Sequence, residues 1–270
     1  MCLKWCPGGL KHNRVKLHKK DMNIEYYKTI ASYYDIICKD LDFDLDFYKS
    51  EKVYGKNVLE LTSGTGRVSI PLLEAGAKLT CIDISPEMLK ILKEKITQHK
   101  YSAEVICEDV TKISLYQKFE LAILPFHSFM ELLGENKQLC TLSRIYRALV
   151  PGGRFLCPIH NPTVRKDSVN GCLHSIGVYS LEDGLLHVSG FEQGGHPTVD
   201  RFRFYEKFDK SGKLNSKHIV KMKFELISKD SFEEMANRVG FKIKNIYGDY
   251  ERNSYSDSQS PFIIWDLVKS

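Results

Sequence analysis

Residues 57–85, NVLELTSGTGRVSIPLLEAGAKLTCIDIS, place two glycines just past a strand-like apolar run and an acid at the tip of the next one. The run 56–62 (KNVLELT) reads as a strand, 66–76 as a helix with Gly76 at its end, and 78–84 (KLTCIDI) as a second strand. A strand, a glycine turn and a helix leave backbone N–H groups facing whatever sits above the strand tips. Three ligands can be tested against the residues. A phosphate loop needs Lys and Ser or Thr after its last glycine, whereas Arg67 and Val68 follow Gly66. A dinucleotide fingerprint needs a third glycine where Ser69 stands. What remains is Glu60 at the first strand end, Gly64 and Gly66 in the turn, and Asp83 lying 17 residues after Gly66. That is close to the spacing of about 20 for a carboxylate that receives ribose hydroxyls. The ligand is therefore nucleoside-like, with no pyrophosphate.

The alternation continues outward from this stretch. Ser85 and Pro86 are a cap and first-turn pair opening a helix. AEVICEDV gives a third strand, FELAILPF a fourth, and NKQLCTLSRIYRALVPGG a helix with an apolar stripe and a Pro-Gly-Gly stop. RFLCPI gives a fifth strand. Apolar strands alternating with helices predict a parallel sheet covered on both faces. From about 170 to 227 the pattern changes to apolar–polar alternation broken by EDG and KSG, which predicts antiparallel hairpins. A capped helix and two strands follow, so the hairpins are an insertion within one domain.

The chain has 270 residues and a formal charge of +5. Six cations (Lys4, Lys11, Arg14, Lys16, Lys19, Lys20) stand in residues 1–20 without an acid, so residues 21–270 carry a net −1. A near-neutral body argues against nucleic acid, whose binding rests on neutralising phosphates. Residues 1–22 are expected to be a basic, disordered extension and 23–270 the folded domain. The extension lacks the apolar core of a secretory leader, and no apolar run reaches the ~18 residues of a membrane span. Eight cysteines without CxxC pairing, several inside apolar strands, predict reduced thiols, a cytoplasmic location and no metal site.

In order and spacing, VLELTSGTGR, CIDISPEML, CEDV and LVPGGRF resemble the motifs of class I S-adenosylmethionine-dependent methyltransferases, over roughly residues 23–160. FHSFMEL further resembles a segment of the glycine and small-molecule N-methyltransferase branch. One departure is Thr62, where the family usually has glycine. The resemblance implies a Rossmann-like α/β fold: a seven-stranded, mostly parallel sheet with helices on both faces and an antiparallel β insertion after strand five. It implies S-adenosylmethionine as cofactor. Glu60, Thr62, Ser63, Gly64 and Gly66 would meet its methionine end, Asp83 its ribose, Ile84 and Met88 the adenine faces, and Asp109 and Val110 the adenine edge. Pro125 ends the fourth strand at the same site. Tyr26, Tyr33 and Tyr34 resemble tyrosines that close over the sulfonium, with Tyr34 assigned to the cofactor.

Methyl transfer is an in-line displacement that gains most from orientation. A general base is needed only for a protonated acceptor, and His127 is the candidate, its alternative being a hydrogen-bond partner; His160 is a weaker one. The turn that grips a flipped base in nucleic-acid amino methyltransferases is absent, LPFHSF standing in its place. The insertion at 170–227 is expected to roof the acceptor, with Tyr179, Phe191, Arg201, Arg203 and Tyr205 as candidate lining. The expected activity is methylation of a small molecule, at nitrogen before oxygen, by a monomer or homodimer. A peptide α-amine methyltransferase and a non-catalytic adenosylmethionine-binding subunit are the alternatives.

Overall fold

The structure, a computed structural model, describes residues 22–270, so the predicted basic extension lies, but for Met22, outside the described residues. In chain order the elements are α1 (Met22–Ile37), α2 (Leu45–Lys49), β1 (Asn57–Leu61), α3 (Ser69–Glu74), β2 (Lys78–Asp83), α4 (Pro86–Gln98), β3 (Glu104–Cys107), β4 (Phe119–Ile123), α5 (Glu135–Ala148), β5 (Leu149–His160), α6 (Pro162–Arg165), β6 (His174–Leu181), β7 (Gly184–Gly194), β8 (Thr198–Asp209), β9 (Leu214–Glu225), α7 (Lys229–Val239), β10 (Phe241–Tyr247) and β11 (Phe262–Lys269).

Seven strands form one sheet in the order β10-β11-β5-β4-β1-β2-β3, in which only β11 runs antiparallel to its neighbours. Crossing from β1 to β2 on one side and to β4 on the other puts a topological switch at the tip of β1, where ligands of open α/β sheets bind. β1, β2 and β4 are buried on both faces, as their apolar runs require. Two apolar clusters cover those faces, one around Phe155, Phe232 and Trp265, the other around Val58, Leu72 and Leu92. α4 starts as its sequence dictates, the Ser85 hydroxyl accepting the Met88 N–H at 3.3 Å with Pro86 in the first turn. Its stripe of Met88, Leu89, Leu92 and Ile96 is buried.

The Pro-Gly-Gly segment departs from the predicted helix stop. α5 ends at Ala148, and residues 150–153 lie within β5 as a bulge between the pairs Phe119–Leu149 and Leu121–Arg154. Pro151 has no N–H to give a ladder, and Gly152 takes a φ of +77°, so the segment suits an interruption in a strand as well as a helix terminus.

The predicted hairpins form a separate four-stranded antiparallel sheet, β6-β7-β8-β9. It is rooted in the domain: Val199 and Phe224 join the main core, while Leu186, Val188, Tyr205 and Met222 clamp Tyr26, Ile30 and Ala31 of α1. The alternation of β8 turns Val199, Arg201, Arg203 and Tyr205 toward the domain. Among the described residues no helix is long and apolar enough to cross a membrane.

Candidate active site

An open pocket of about 900 Å³ lies beyond the tips of β1, β2 and β4. Its floor is the turn after β1. Thr62 adopts a φ of +55°, the left-handed region that the family's glycine would occupy freely. Its hydroxyl donates to the Leu61 carbonyl at 2.6 Å. Gly64 follows with the same φ, and a Cβ there would meet nothing within 4 Å, so its open side faces the pocket. Gly66, at φ +90°, serves packing instead: a Cβ would lie 2.5 Å from the Leu92 side chain.

Asp83 is fixed by main chain. The Gly64 N–H donates to its Oδ2 and the Ser85 N–H to its Oδ1, each at 2.8 Å. Burial raises its pKa and these amides oppose the rise. Each carboxylate oxygen keeps a second lone pair, and the group lines the pocket. Exposed Ile84 and buried Met88 form a wall beside it. Asp109 and Val110 close the edge, and Asp109 also caps its own turn by accepting from the Thr111 N–H at 2.9 Å and hydroxyl at 2.7 Å.

The structure thus brings Tyr34, Thr62, Gly64, Asp83, Ile84, Met88, Asp109 and Val110 to one surface. Glu60, Ser63, Gly66, Pro125 and His127 do not line it. Glu60 is buried behind the turn against the Ser69 hydroxyl at 2.6 Å, and burial pushes its pKa up to about 8, so it is largely protonated at neutral pH. The Ser63 hydroxyl is buried under the turn with no hydrogen-bond partner.

His127 sits behind the pocket wall. Its ring packs against His160, at 4.1 Å, and Phe262, at 4.7 Å between centroids, and those two rings also touch each other at 5.7 Å. Burial, then the positive charges of Arg201, Arg165 and Arg67, push its pKa down to about 3, and its Nε2 is buried without a partner. It is neutral at pH 7 but far too weakly basic to take up a proton there, and the geometry weighs against the general-base role.

Helix α1 roofs the pocket. Tyr27 and Tyr34, seven residues apart on one face, line it with Asn23 and Ile24, and the Tyr27 hydroxyl donates to Glu131 at 2.6 Å. Tyr26 and Tyr33 instead face the insertion: the Tyr26 and Tyr205 hydroxyls lie 3.2 Å apart, and Tyr33 stacks on the Tyr205 ring. Tyr27 and Glu131 escaped the sequence reading, although the seven-residue spacing from Tyr34 was there to extend. The helix is latched to the glycine turn, Asp35 accepting from the Thr65 hydroxyl at 2.6 Å and from Lys95 at 2.7 Å.

An anionic acceptor for ribose hydroxyls, a glycine floor and an apolar wall fit adenosylmethionine. A pyrophosphate would need the third glycine of a dinucleotide turn, where buried Ser69 stands.

Residues 58–153 match a family described as a methyltransferase domain. A putative methyltransferase of Bacillus subtilis (strain 168) is 27% identical over 259 residues, covering 90% of this chain and 97% of its own. The glycine/sarcosine N-methyltransferase of Aphanothece halophytica is 26% identical over 80% of this chain and 78% of its own. Among solved structures, the CcbJ methyltransferase from Streptomyces caelestis superposes with a TM-score of 0.76 at 21% identity, over 91% of this chain and 98% of that one, a likeness of fold.

Proposed function

Since the chain is a class I S-adenosylmethionine-dependent methyltransferase, we propose that it methylates a small-molecule acceptor, at nitrogen, in the cytoplasm. The observation that carries this reading is the roof of the pocket. α1 lines it through Asn23, Ile24, Tyr27 and Tyr34 and is backed by the four-stranded insertion, whose expected lining residues Tyr179, Phe191, Arg201, Arg203 and Tyr205 do not reach the pocket; a helix closed over the strand tips favours a compact acceptor over a polymer. The likeness to a glycine/sarcosine N-methyltransferase supports nitrogen as the target, and the six free cysteines among the described residues support a reducing compartment.

Bound S-adenosylmethionine supplies a methyl group on a sulfonium, which the acceptor lone pair displaces while the C–S electrons leave on sulfur. The chain's part is to hold and orient. Asp83 receives the ribose hydroxyls through the lone pairs its two amide partners leave open, a charge-assisted arrangement. The turn at Thr62 to Gly64 carries the methionine end, with the Ser63 hydroxyl just beneath. Ile84 and Met88, walls of the pocket, would take the adenine faces, Asp109 and Val110 its edge, and Tyr34 the side of the sulfonium. Glu60 and Gly66, outside the pocket lining, set the shape of the turn from behind. We assign His127 to positioning: its neutral ring, stacked on His160 and Phe262, stiffens the segment after β4.

A screen for S-adenosylhomocysteine release over matched amines and phenols tests the reading. Release with amines is expected. A higher kcat/KM with phenols would move the target to oxygen, and tight cofactor binding without release from any compound would make the protein a non-catalytic subunit. His127→Asn is expected to raise KM for the acceptor and leave the pH profile unchanged in shape. A drop in kcat of about 10²–10⁴-fold with loss of a pH limb would return it to general-base catalysis.

A further inference from the structure

The outer face of the insertion, turned away from α1, carries a row of polar side chains that methyl transfer does not use. His187 of β7 and Glu206 of β8 stand directly opposite each other, and Lys217 of β9 stands opposite Glu206. The alternation that sends Leu186, Val188 and Tyr205 inward against α1 sends His187 and Glu206 the other way. His187 Nδ1 lies 3.2 Å from Glu206 Oε2, and its Nε2 lies 3.1 Å from the Ser175 hydroxyl on β6. A carboxylate only accepts, so in the neutral ring Nδ1 carries the proton and Nε2 accepts from Ser175. Hydroxyl, imidazole and carboxylate are thereby joined in series, each oriented by the group behind it.

Two features of the sheet bear on what this series can do. A bulge interrupts β6: Ser175 opposes Ser189 and Gly177 opposes Val188, so Ile176, the residue after the hydroxyl, has no counterpart on β7. Bulges re-aim side chains and leave the extra residue out of the ladder. Ser175, His187 and Glu206 also line one surface cleft of about 650 Å³, together with the apolar side chains of Leu173 and Phe204. Lys217 donates to Glu206 Oε1 at 2.7 Å and lies 5.5 Å from the Phe204 ring centroid. Lys217, and after it His187, holds the Glu206 pKa below its ordinary value, so the acid behind the imidazole is charged at neutral pH.

We propose that Ser175, His187 and Glu206 form a second catalytic site, a serine acyl hydrolase for small apolar esters. Ser175 Oγ attacks the acyl carbon, and its proton passes to His187 Nε2 while Glu206 steadies the imidazolium. The ester C–O bond then breaks, the leaving alkoxide takes that proton from Nε2, and the acyl group stays on Ser175. Water attacks the acyl carbon in turn, giving its proton to Nε2, which returns it to Ser175 Oγ as the carboxylic acid departs. The Ile176 N–H, next to the nucleophile and out of register with β7, serves the developing oxyanion. Leu173 and Phe204 receive the apolar part of the ester. Lying on the opposite face of the insertion from α1, this site is independent of the cofactor and of the acceptor reading above.

The test uses the full-length chain without cofactor. Hydrolysis of 4-nitrophenyl acetate is followed, and the protein is treated with a fluorophosphonate and mapped by peptide mass spectrometry. Saturable hydrolysis and an adduct on Ser175 are expected. Ser175→Ala should remove the adduct and lower kcat/KM about 10²–10⁴-fold, His187→Gln should match it, and Glu206→Gln should cost about tenfold or more. Ser175 is exposed, so its truncation spares the fold, and S-adenosylhomocysteine affinity by calorimetry is expected to be unchanged in all three variants. Should Glu206→Gln disturb the sheet, Ser175→Ala and His187→Gln carry the comparison. Hydrolysis that survives Ser175→Ala, an adduct on another residue alone, or no saturable hydrolysis would overturn the site and leave the methyltransferase reading standing.

Discussion

Glu60, at the end of β1, and Glu192, on β7, are almost equally buried, 1% and 4% exposed, yet they carry charge in opposite ways. Glu60 has a single hydroxyl for company, and burial lifts its pKa to about 8. Glu192 is desolvated too, but Arg201, Arg165 and Arg203 outweigh that and hold its pKa below the ordinary range. The difference follows from how the two regions are made. The strand tips are shaped by main chain: amides grip Asp83, and Thr62 and Gly64 set the turn. The charges this surface presents are carboxylates, Asp83, Asp109 and Glu131, beside one lysine, Lys137. The insertion presents alternate side chains on one face, so it can assemble charge from three segments.

The sharpest break of this comparison is Asp83→Ala. Two charged hydrogen bonds to the ribose, at about 1.5–3 kcal/mol each, predict a loss of S-adenosylhomocysteine affinity of about 10²–10⁴-fold by calorimetry. Unchanged affinity would refute the ribose assignment. Glu192→Gln comes next. Stripping the counter-charge from three guanidiniums is expected to cost about 3–5 kcal/mol in urea unfolding. A loss under 1 kcal/mol would mean that solvent already screens the cluster.

The third prediction separates the glutamates by pH. Glu60 has a folded pKa raised above its unfolded value, so it contributes stability below about 4.5 that is lost as pH rises through about 8. The slope in that window reaches at most about 1.4 kcal/mol per pH unit, and Glu60→Gln should flatten it. Glu192, with a lowered pKa, behaves in reverse, its contribution present above its ordinary pKa of 4.5 and lost as the pH falls below it. A slope that survives Glu60→Gln would refute the assignment. The smallest effect is Thr62→Gly. Relief of the left-handed strain, about 1–2 kcal/mol, is partly offset by the freer unfolded chain, for a net gain of about 0.5–1 kcal/mol in melting experiments.

The two regions also differ in how much of them the sequence discloses. The strand tips were legible because their chemistry is local: Ser85 caps the helix that Pro86 begins, and Asp83 meets an amide only 19 residues away in Gly64. The insertion's strands were legible as alternation, and Arg201 and Arg203 as candidate lining. Their common partner was not, although Glu192 lies only 9 and 11 residues from them, because the hairpin register that sets Glu192 opposite Arg201 is not written in the alternation; Tyr26 meets Tyr205 across 179 residues. The surroundings of His127 were hidden for the same reason. Its position after β4 marks it as facing the methyl group, whereas its burial depends on His160 and Phe262, which arrive from β5 and β11. Alternation names the face of a strand and leaves its opposite number unnamed.

Strand β11 lies between β10 and β5, and its pairing with β5 joins residues about a hundred positions apart, as in Phe262 with His160. β1 to β4, by contrast, assemble from a continuous stretch of chain. Contacts of long sequence separation close late, because loop entropy is lost before they reward it. The outer edge of β5 is therefore covered only by chain that arrives about a hundred residues later, Trp265 and its neighbours sealing it. During that interval β5 presents an open row of amides and carbonyls to any other chain.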